Sequence, residues 1–392
     1  MPQVRSAAVA FYVSTGSRHE PPELHGASHF LEHLCFKGTA TRSSREINVR
    51  FDELGSIYNA YTGKEHTTYY GWVPAERASA QFELLADMMR PALPPQEFET
   101  ERQVVLEEIA MSDDDFDRHV WNAVHEALFG SHPLAHEILG RQESIAAMTR
   151  DALLAYHAQH YNPQRLTVLA AGSLEPEQLF AAVGRACANW PPGEPPSDPP
   201  DGFPPLTFGV RKRVLPRFKQ QSLVLLYPSV PSGHADDESV ETLVSILGGP
   251  NSRCYWNIIR KGICIEAGAL WLAYRDYGAL VLYADGQPER CEEMLAALRQ
   301  EARAICQEGP RPAEVRRVKN RRRTQLALET ENPRTRLMQM VDDLETKGYV
   351  RTPAARLAAA EAVSEQTIMR YLWRCPIDGE GLLLSCGPRD WP

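Results

Sequence analysis

Apolar Val9, Phe11 and Val13 alternate with Ala8, Ala10 and Tyr12 along residues 4–15, which predicts a strand. Apolar positions then recur at helical spacing over about 26–37 and 43–54, predicting two helices. Tyr, Thr, Ile and Val crowd 56–62 and 66–73 on either side of Gly63-Lys64-Glu65, the pattern of a β-hairpin. Helical periods return near 75–90, 95–113, 119–129 and 149–160, followed by a strand at 165–172 and a helix at 175–189. The stretch 191–205, PPGEPPSDPPDGFPP, holds eight of the thirty prolines and neither period. Proline fixes φ and favours extended backbone, so this segment reads as a semi-rigid linker. Beyond it come a strand at 222–228, helices at 235–247 and 252–260, strands at 263–274 and 277–285, helices at 288–307 and 311–329, further helices, and a strand at 381–386. The order of elements repeats, which predicts a diverged duplication of one α+β unit: domain 1–190, linker 191–205 and domain 206–392.

Length agrees, since 392 residues at about 100–200 per domain suggest two domains. A hydrophobic content of 43% with a formal charge of −9 excludes a disordered chain and speaks against a nucleic-acid partner. The one basic run, 316–323, lacks interleaved aromatics and reads as a solvated helix face, with contact to a partner subunit or an acidic substrate as the second reading. No window approaches the ~18 uninterrupted apolar residues of a membrane helix, and MPQVRSAAVAFYVSTGS lacks a basic signal region. The expectation is a soluble, cytoplasmic protein with no membrane partner. The eight cysteines form no CxxC pair and read as reduced thiols.

The chemistry concentrates at His29-Phe30-Leu31-Glu32-His33. On a helix His29 and His33 are one turn apart and Glu32 lies three after His29, so two imidazoles and a carboxylate project from one face. Catalytic zinc takes three protein ligands and keeps one position open for water, and a carboxylate beside it can accept a proton from that water. HxxEH supplies two ligands and the base, with a histidine pair satisfied on the surface or in the core as the bland alternative. A third ligand from another helix is offered by 101–109, where Glu101 and Glu108 share a face and Val104, Val105 and Ile109 are expected to be buried. Glu107 is offset from Glu108 by about 100° and reads as a solvated charge. Other histidines are weaker candidates. Pro133 separates His132 from His136 with no acid at the base position, and His157 and His160 sit near a helix C-terminus, where polar groups are ordinary. Cys35 would close the position water needs and reads as a small buried residue.

The segments GSRHEPPELHGASHFLEHLCFKGT, LGSIYNAYTGKEHTTYYGWV, ERQVVLEEI and HPLAHEILGRQESI together resemble the pitrilysin family of zinc peptidases, in its short two-domain branch with mitochondrial processing peptidase and bacterial relatives. The resemblance implies two homologous α/β sandwich-like domains, the second metal-free, forming half of a clamshell. Two such chains would pair as homodimer or heterodimer around a chamber that admits unfolded peptides. It implies that His29, His33 and Glu108 bind zinc, Glu32 is the general base and Glu101 orients the site. It implies a substrate added as a β-strand along 56–62, with Asn59 and Ala60 near the scissile bond, and an Arg260 that grips the substrate. The implied activity is endopeptidase hydrolysis, with a non-catalytic or partner-dependent subunit of the same fold as the rival, and a mitochondrial matrix or periplasmic location if a targeting segment has been removed. Two departures stand out. The family's substrate-gripping tyrosine falls on Ile265, leaving Tyr274 or a partner chain to substitute, and the family's early strand with an Asn-Gly-Leu signature is missing, so the chain is expected to start upstream or to expose a sheet edge.

Overall fold

The computed structural model describes residues 1–195 and 202–392, and residues 196–201 of the predicted linker lie outside the described residues. The chain divides into two compact units. The first comprises Met1–Asp115, Ser131–Gly202 and Leu328–Glu345, the second Phe116–Gly130, Phe203–Ala327 and Thr346–Pro392. Two segments thus cross the linker-based partition, 116–130 joining the second unit and 328–345 the first.

The first unit is built on β1 (Ser6–Val13), β2 (Ile57–Thr62), β3 (Thr67–Pro74) and β4 (Leu166–Gly172). They form one antiparallel sheet in the order β2-β3-β1-β4, with β2 at an edge. Helices α1 (Ala27–Leu34), α2 (Ser44–Leu54), α3 (Ala78–Met88) and α4 (Pro95–Ser112) precede α5 (Phe116–Phe129), which belongs to the second unit. α6 (Gln142–Ala147), α7 (Arg150–His160) and α8 (Pro176–Cys187) return to the first.

Because successive strand residues face opposite ways, Val9, Phe11 and Val13 join Phe30, Leu31, Phe51, Tyr69, Phe82 and Phe98 in the main core. Ala8, Ala10, Tyr12 and Tyr70 meet Leu337 and Val341 on the other face. Alanine there leaves room for a helix to lie close across the sheet, which is why residues 328–345 cluster with this unit. The flank of the α4 stripe is more open than the sequence suggests: Phe98, Glu101, Val105 and Ile109 are buried, but Val104 is 42% exposed.

The second unit holds β5 (Gly209–Val214), β6 (Gln221–Ser229), β7 (Glu266–Ala273), β8 (Gly278–Gly286) and β9 (Leu382–Gly387), in the order β5-β9-β6-β8-β7. Without β5 this repeats the first sheet strand for strand, in agreement with the repeated element order. β5, GVRKRV, is an extra edge strand parallel to β9 that the sequence pattern does not announce. It is exposed on both faces, so no alternation marks it, and its charges are the kind that blunt a sheet edge. The helices are α9 (Asp237–Gly248), α10 (Cys291–Glu308), α11 (Pro312–Glu331), α12 (Pro333–Lys347), α13 (Pro353–Ala362) and α14 (Glu365–Arg374), most of α12 lying in the first unit. Gly248 lets α9 press onto β7, since a Cβ there would lie 2.0 Å from the Ala269 amide nitrogen. The helix expected over 252–260 is a five-residue π-helical turn, Tyr255–Ile259.

Candidate metal centre

α1 begins at Gly26, whose φ of 93° is a left-handed conformation. A Cβ at 26 would lie 2.7 Å from Ile145 Cδ1 and 2.8 Å from the Leu139 carbonyl oxygen. The amides of Gly26 and Ser28 donate to the two carboxylate oxygens of buried Glu20 at 2.7 and 2.8 Å. An acid on the first amides of a helix satisfies orphan donors and meets the positive end of the dipole. Burial nevertheless outweighs those bonds and pushes the Glu20 carboxyl up to about 7.

The far end of α1 faces α4, and the Phe30 and Phe98 rings, 5.1 Å apart, bind the two helices together. Glu108 Oε2 lies 3.8 Å from His29 Nε2 and 3.7 Å from His33 Nε2. One donor atom from each of the three sits within 4.8 Å of the others, the one such group of His, Cys, Asp or Glu found among the described residues. Burial, with the neighbouring His33 second, holds His29 down to about 3, so its imidazole is neutral, as a ligand must be. His29 Nδ1 is buried without a partner in the protein.

Glu101, two turns before Glu108 on the same face of α4, meets His33 Nδ1 at 3.0 Å through Oε2 and Lys37 Nζ at 2.6 Å through Oε1. Burial alone would lower the His33 pKa, but the bond to Glu101 and the charges of Glu101, Glu32 and Glu108 raise it instead. Glu32 projects beside the trio. Its pKa is raised by burial, against the Thr62 hydroxyl, which donates to Oε2 at 2.5 Å. Two imidazoles and a carboxylate, with a further acid near them that is not part of the trio, are a nitrogen and oxygen donor set that suits zinc, and the residues fit that ion.

Family models cover most of the chain: the insulinase (peptidase family M16) domain matches residues 1–142 and the peptidase M16 inactive domain matches 147–322. An uncharacterized zinc protease of Bacillus subtilis is 30% identical over 340 residues, covering 86% of this chain and 82% of that protein. One from Mycobacterium leprae is 34% identical over 330 residues, covering 81% and 73%. The chain belongs to peptidase family M16. Among solved structures, a protease from Helicobacter pylori shares the fold with a TM-score of 0.89 at 20% identity, covering 97% of this chain and 94% of that one. M16 peptidases are zinc proteases, and zinc is the cofactor of this M16 chain.

In this M16 chain the structure brings His29, His33, Glu108, Glu101 and Glu32 together, while Glu107 is exposed on another side of α4. Asn59 is exposed and Ala60 buried on edge strand β2. Arg260 ends the π-helical turn of the second unit, exposed. Ile265, just before β7, is 74% exposed, and Tyr274 is no open substitute for a tyrosine there, being buried with its hydroxyl 2.7 Å from His125 Nε2.

Three of the weaker histidine candidates have hydrogen-bond partners, and the fourth, His136, lies with its ring 3.6 Å from that of His25. His132 Nδ1 accepts from the Leu134 amide, His157 Nε2 meets the Met89 carbonyl at 2.9 Å and His160 Nδ1 meets Thr15 Oγ1 at 3.3 Å. Cys35 is fully buried, which pushes its thiol up to about 12. Much of the basic run is engaged within the chain: Arg322 pairs with Glu241, Arg323 with Glu361, and Arg321 donates to the Pro250 carbonyl. Two contacts escaped the sequence reading. Lys37 lies four residues after His33 within the helix expected over 26–37, a signal that was available although α1 ends at Leu34 and Lys37 sits in the turn beyond it, whereas the approach of Thr62 to Glu32 has no local signature.

Proposed function

We propose that this M16 chain is a zinc metalloendopeptidase that hydrolyses unfolded peptides paired as an added strand along β2. The convergence of His29, His33 and Glu108 beside Glu32 carries the reading. These three residues would hold zinc, and when bound the ion supplies a Lewis acid and an acidified water. Glu101 keeps the His33 ring turned with Nε2 toward the trio. Glu32, raised in pKa by burial, accepts the proton of the attacking water and returns it to the leaving amine. The open edge of β2 offers main-chain donors and acceptors to an extended peptide, which reads little sequence and leaves preference to side-chain pockets. Arg260 would bind substrate from the second unit, and pairing of two chains, as homodimer or heterodimer, would enclose the peptide. Free cysteines throughout and no described helix long and apolar enough to cross a membrane are compatible with work in a cytoplasm.

Glu32→Gln keeps the shape of the side chain and removes the base. The purified variant is expected to bind one zinc per chain and to cleave a quenched peptide at least ~100-fold more slowly than the parent. Cleavage at the parental rate refutes the assignment of the base. Ile265 favours a second reading, a subunit that turns over peptide only with a homologous partner supplying the missing phenol. Zinc in the purified chain with no cleavage until a partner is added would decide for it.

A further inference from the structure

Glu32 does not sit free beside the metal trio. Its Oε2 accepts from the Thr62 hydroxyl at 2.5 Å, and Thr62 is the last residue of β2, the strand along which the proposed substrate would lie. We propose that Thr62 is a positioning residue, holding the Glu32 carboxylate at a fixed place relative to the substrate edge, and that segment 16–20 sets this register by binding the hairpin and α1 at once. The inference rests on the peptidase reading for its consequence, not for its geometry.

The segment touches both partners. On the hairpin side the amides of Ser17 and Arg18 donate to the carbonyls of Gly63 and Lys64 at 3.2 and 2.8 Å. Gly16 permits this approach, since a Cβ there would stand 2.3 Å from the Gly63 carbonyl oxygen. Arg18 pairs with Glu65 at 2.5 Å, both almost fully buried, and Lys64 reaches the carbonyl of His136. On the helix side Glu20 receives the first amides of α1. Five consecutive residues therefore tie the turn that follows Thr62 to the helix that carries Glu32. A buried ion pair breaks only at high cost, so the separation of strand end and helix is held rather than averaged.

Thr62 is suited to such a role. β-branching restricts its χ1 on a strand, and a hydroxyl bonded to a carboxylate makes a charge-assisted bond. That bond occupies one Glu32 oxygen and leaves the other for the attacking water. Misplacement of a reacting group by about 1 Å can cost on the order of 100-fold in rate.

The test compares Thr62→Val, which is isosteric and lacks the donor, with Thr62→Ser, which restores it, each loaded with zinc. For Thr62→Val the expectation is parental zinc content, KM within about twofold and kcat lower by about 10- to 30-fold, the loss of one charge-assisted bond. Thr62→Ser should recover most of kcat. An unchanged kcat for the valine variant, a change confined to KM, or no recovery by serine overturns the proposal. Crystal structures of parent and both variants give a readout independent of turnover. The Glu32 carboxylate should move in Thr62→Val and stay in Thr62→Ser, and a carboxylate that stays in both overturns the proposal. If the zinc-loaded parent cleaves no peptide, the reading of this chain as a self-sufficient peptidase fails by itself, and the crystal structures still decide the positioning.

Discussion

Replacing Glu101 by Gln asks how much of the zinc affinity depends on a residue outside the trio. The Glu101 carboxylate is nearly buried and bridges two donors, the His33 Nδ1–H at 3.0 Å and the Lys37 ammonium at 2.6 Å. Accepting from His33 Nδ1 places the proton on that nitrogen and leaves Nε2, the atom facing Glu108, with its lone pair. Glutamine keeps the volume but has one acceptor where glutamate has two. If its oxygen serves His33, Lys37 loses its partner. If it serves Lys37, an NH2 group faces Nδ1 and favours the wrong tautomer. Lys37 is 29% exposed along its side chain and can turn to water, so the damage falls mainly on the orientation and basicity of His33. Loss of a ligand's hydrogen-bond partner costs ~10–100-fold in metal affinity, about 1.4–2.7 kcal/mol. The buried site and the loss of negative charge put Glu101→Gln in the upper half of that range. Competition with a chromophoric zinc chelator at fixed pH measures it, with Glu107→Gln as a control of equal charge change on an exposed side of the same helix. A Glu101→Gln dissociation constant within twofold of the parent, or equal to that of Glu107→Gln, refutes the role given to Glu101.

Gly26→Ala places a Cβ in a left-handed residue against the Leu139 carbonyl and Ile145, so a loss of about 2–4 kcal/mol in stability with weakened zinc binding is expected, read by thermal unfolding and metal analysis. Glu20 titrates near 7 in the folded chain against 4.5 ordinarily, a raised carboxyl, so its contribution to stability is fully present below pH 4.5, declines as pH rises to 7 and is then constant. The decline is on the order of 3 kcal/mol, and denaturation of parent and Glu20→Gln between pH 5 and 8 should show the difference between their stabilities changing by about that amount, the other titrating groups cancelling. Parallel curves would contradict the shift. Arg253 donates to both Glu314 oxygens, at 3.0 and 2.8 Å, and to the Gly309 carbonyl, all buried in the second unit. Arg253→Met should therefore cost about 3–5 kcal/mol in unfolding by denaturant, while zinc content stays parental.

What was legible in the sequence was local. Alternation along 4–15, the turn at 63–65 and the HxxEH helix each depend on residues within a few positions of one another, and β1, the β2–β3 hairpin and α1 follow from them. The site was legible for the same reason, since helical spacing alone projects His29 and His33 together, and the spacing of Glu101 and Glu108 puts them on one face of α4. What was not legible depends on partners far along the chain. β5 exists because β9, some 170 residues later, offers it an edge. Residues 328–345 pack against Ala8 and Ala10, and the small size of those alanines shows that something lies close but not which segment. Val104 looked buried because it is apolar, but the α4 stripe is centred on Phe98, Val105 and Ile109 and leaves it at the flank.

The repeated sheet shows why the His–Glu cluster occurs once among the described residues. In each unit the first strand of the repeated order is followed by a helix, α1 after β1 and α9 after β6. α1 is eight residues long and carries His29, Glu32 and His33 toward a second helix that offers Glu101 and Glu108. α9 buries Val240, Leu243, Ile246 and Leu247, offers no imidazole, and runs through Gly248 directly onto β7, the strand in the place of β2. Backbone contact occupies there the space that donor side chains need. Strand order is fixed by hydrophobic alternation and pairing, which both units share, so the fold tolerates either outcome. Function is then decided by what stands between helix and edge strand. In the first unit that gap is kept open and polar by Glu32 and Thr62 and held by segment 16–20 through Arg18 and Glu20. The Arg18–Glu65 pair is thus the contact whose loss should close the difference between the two units, degrading the site while leaving the sheet order intact.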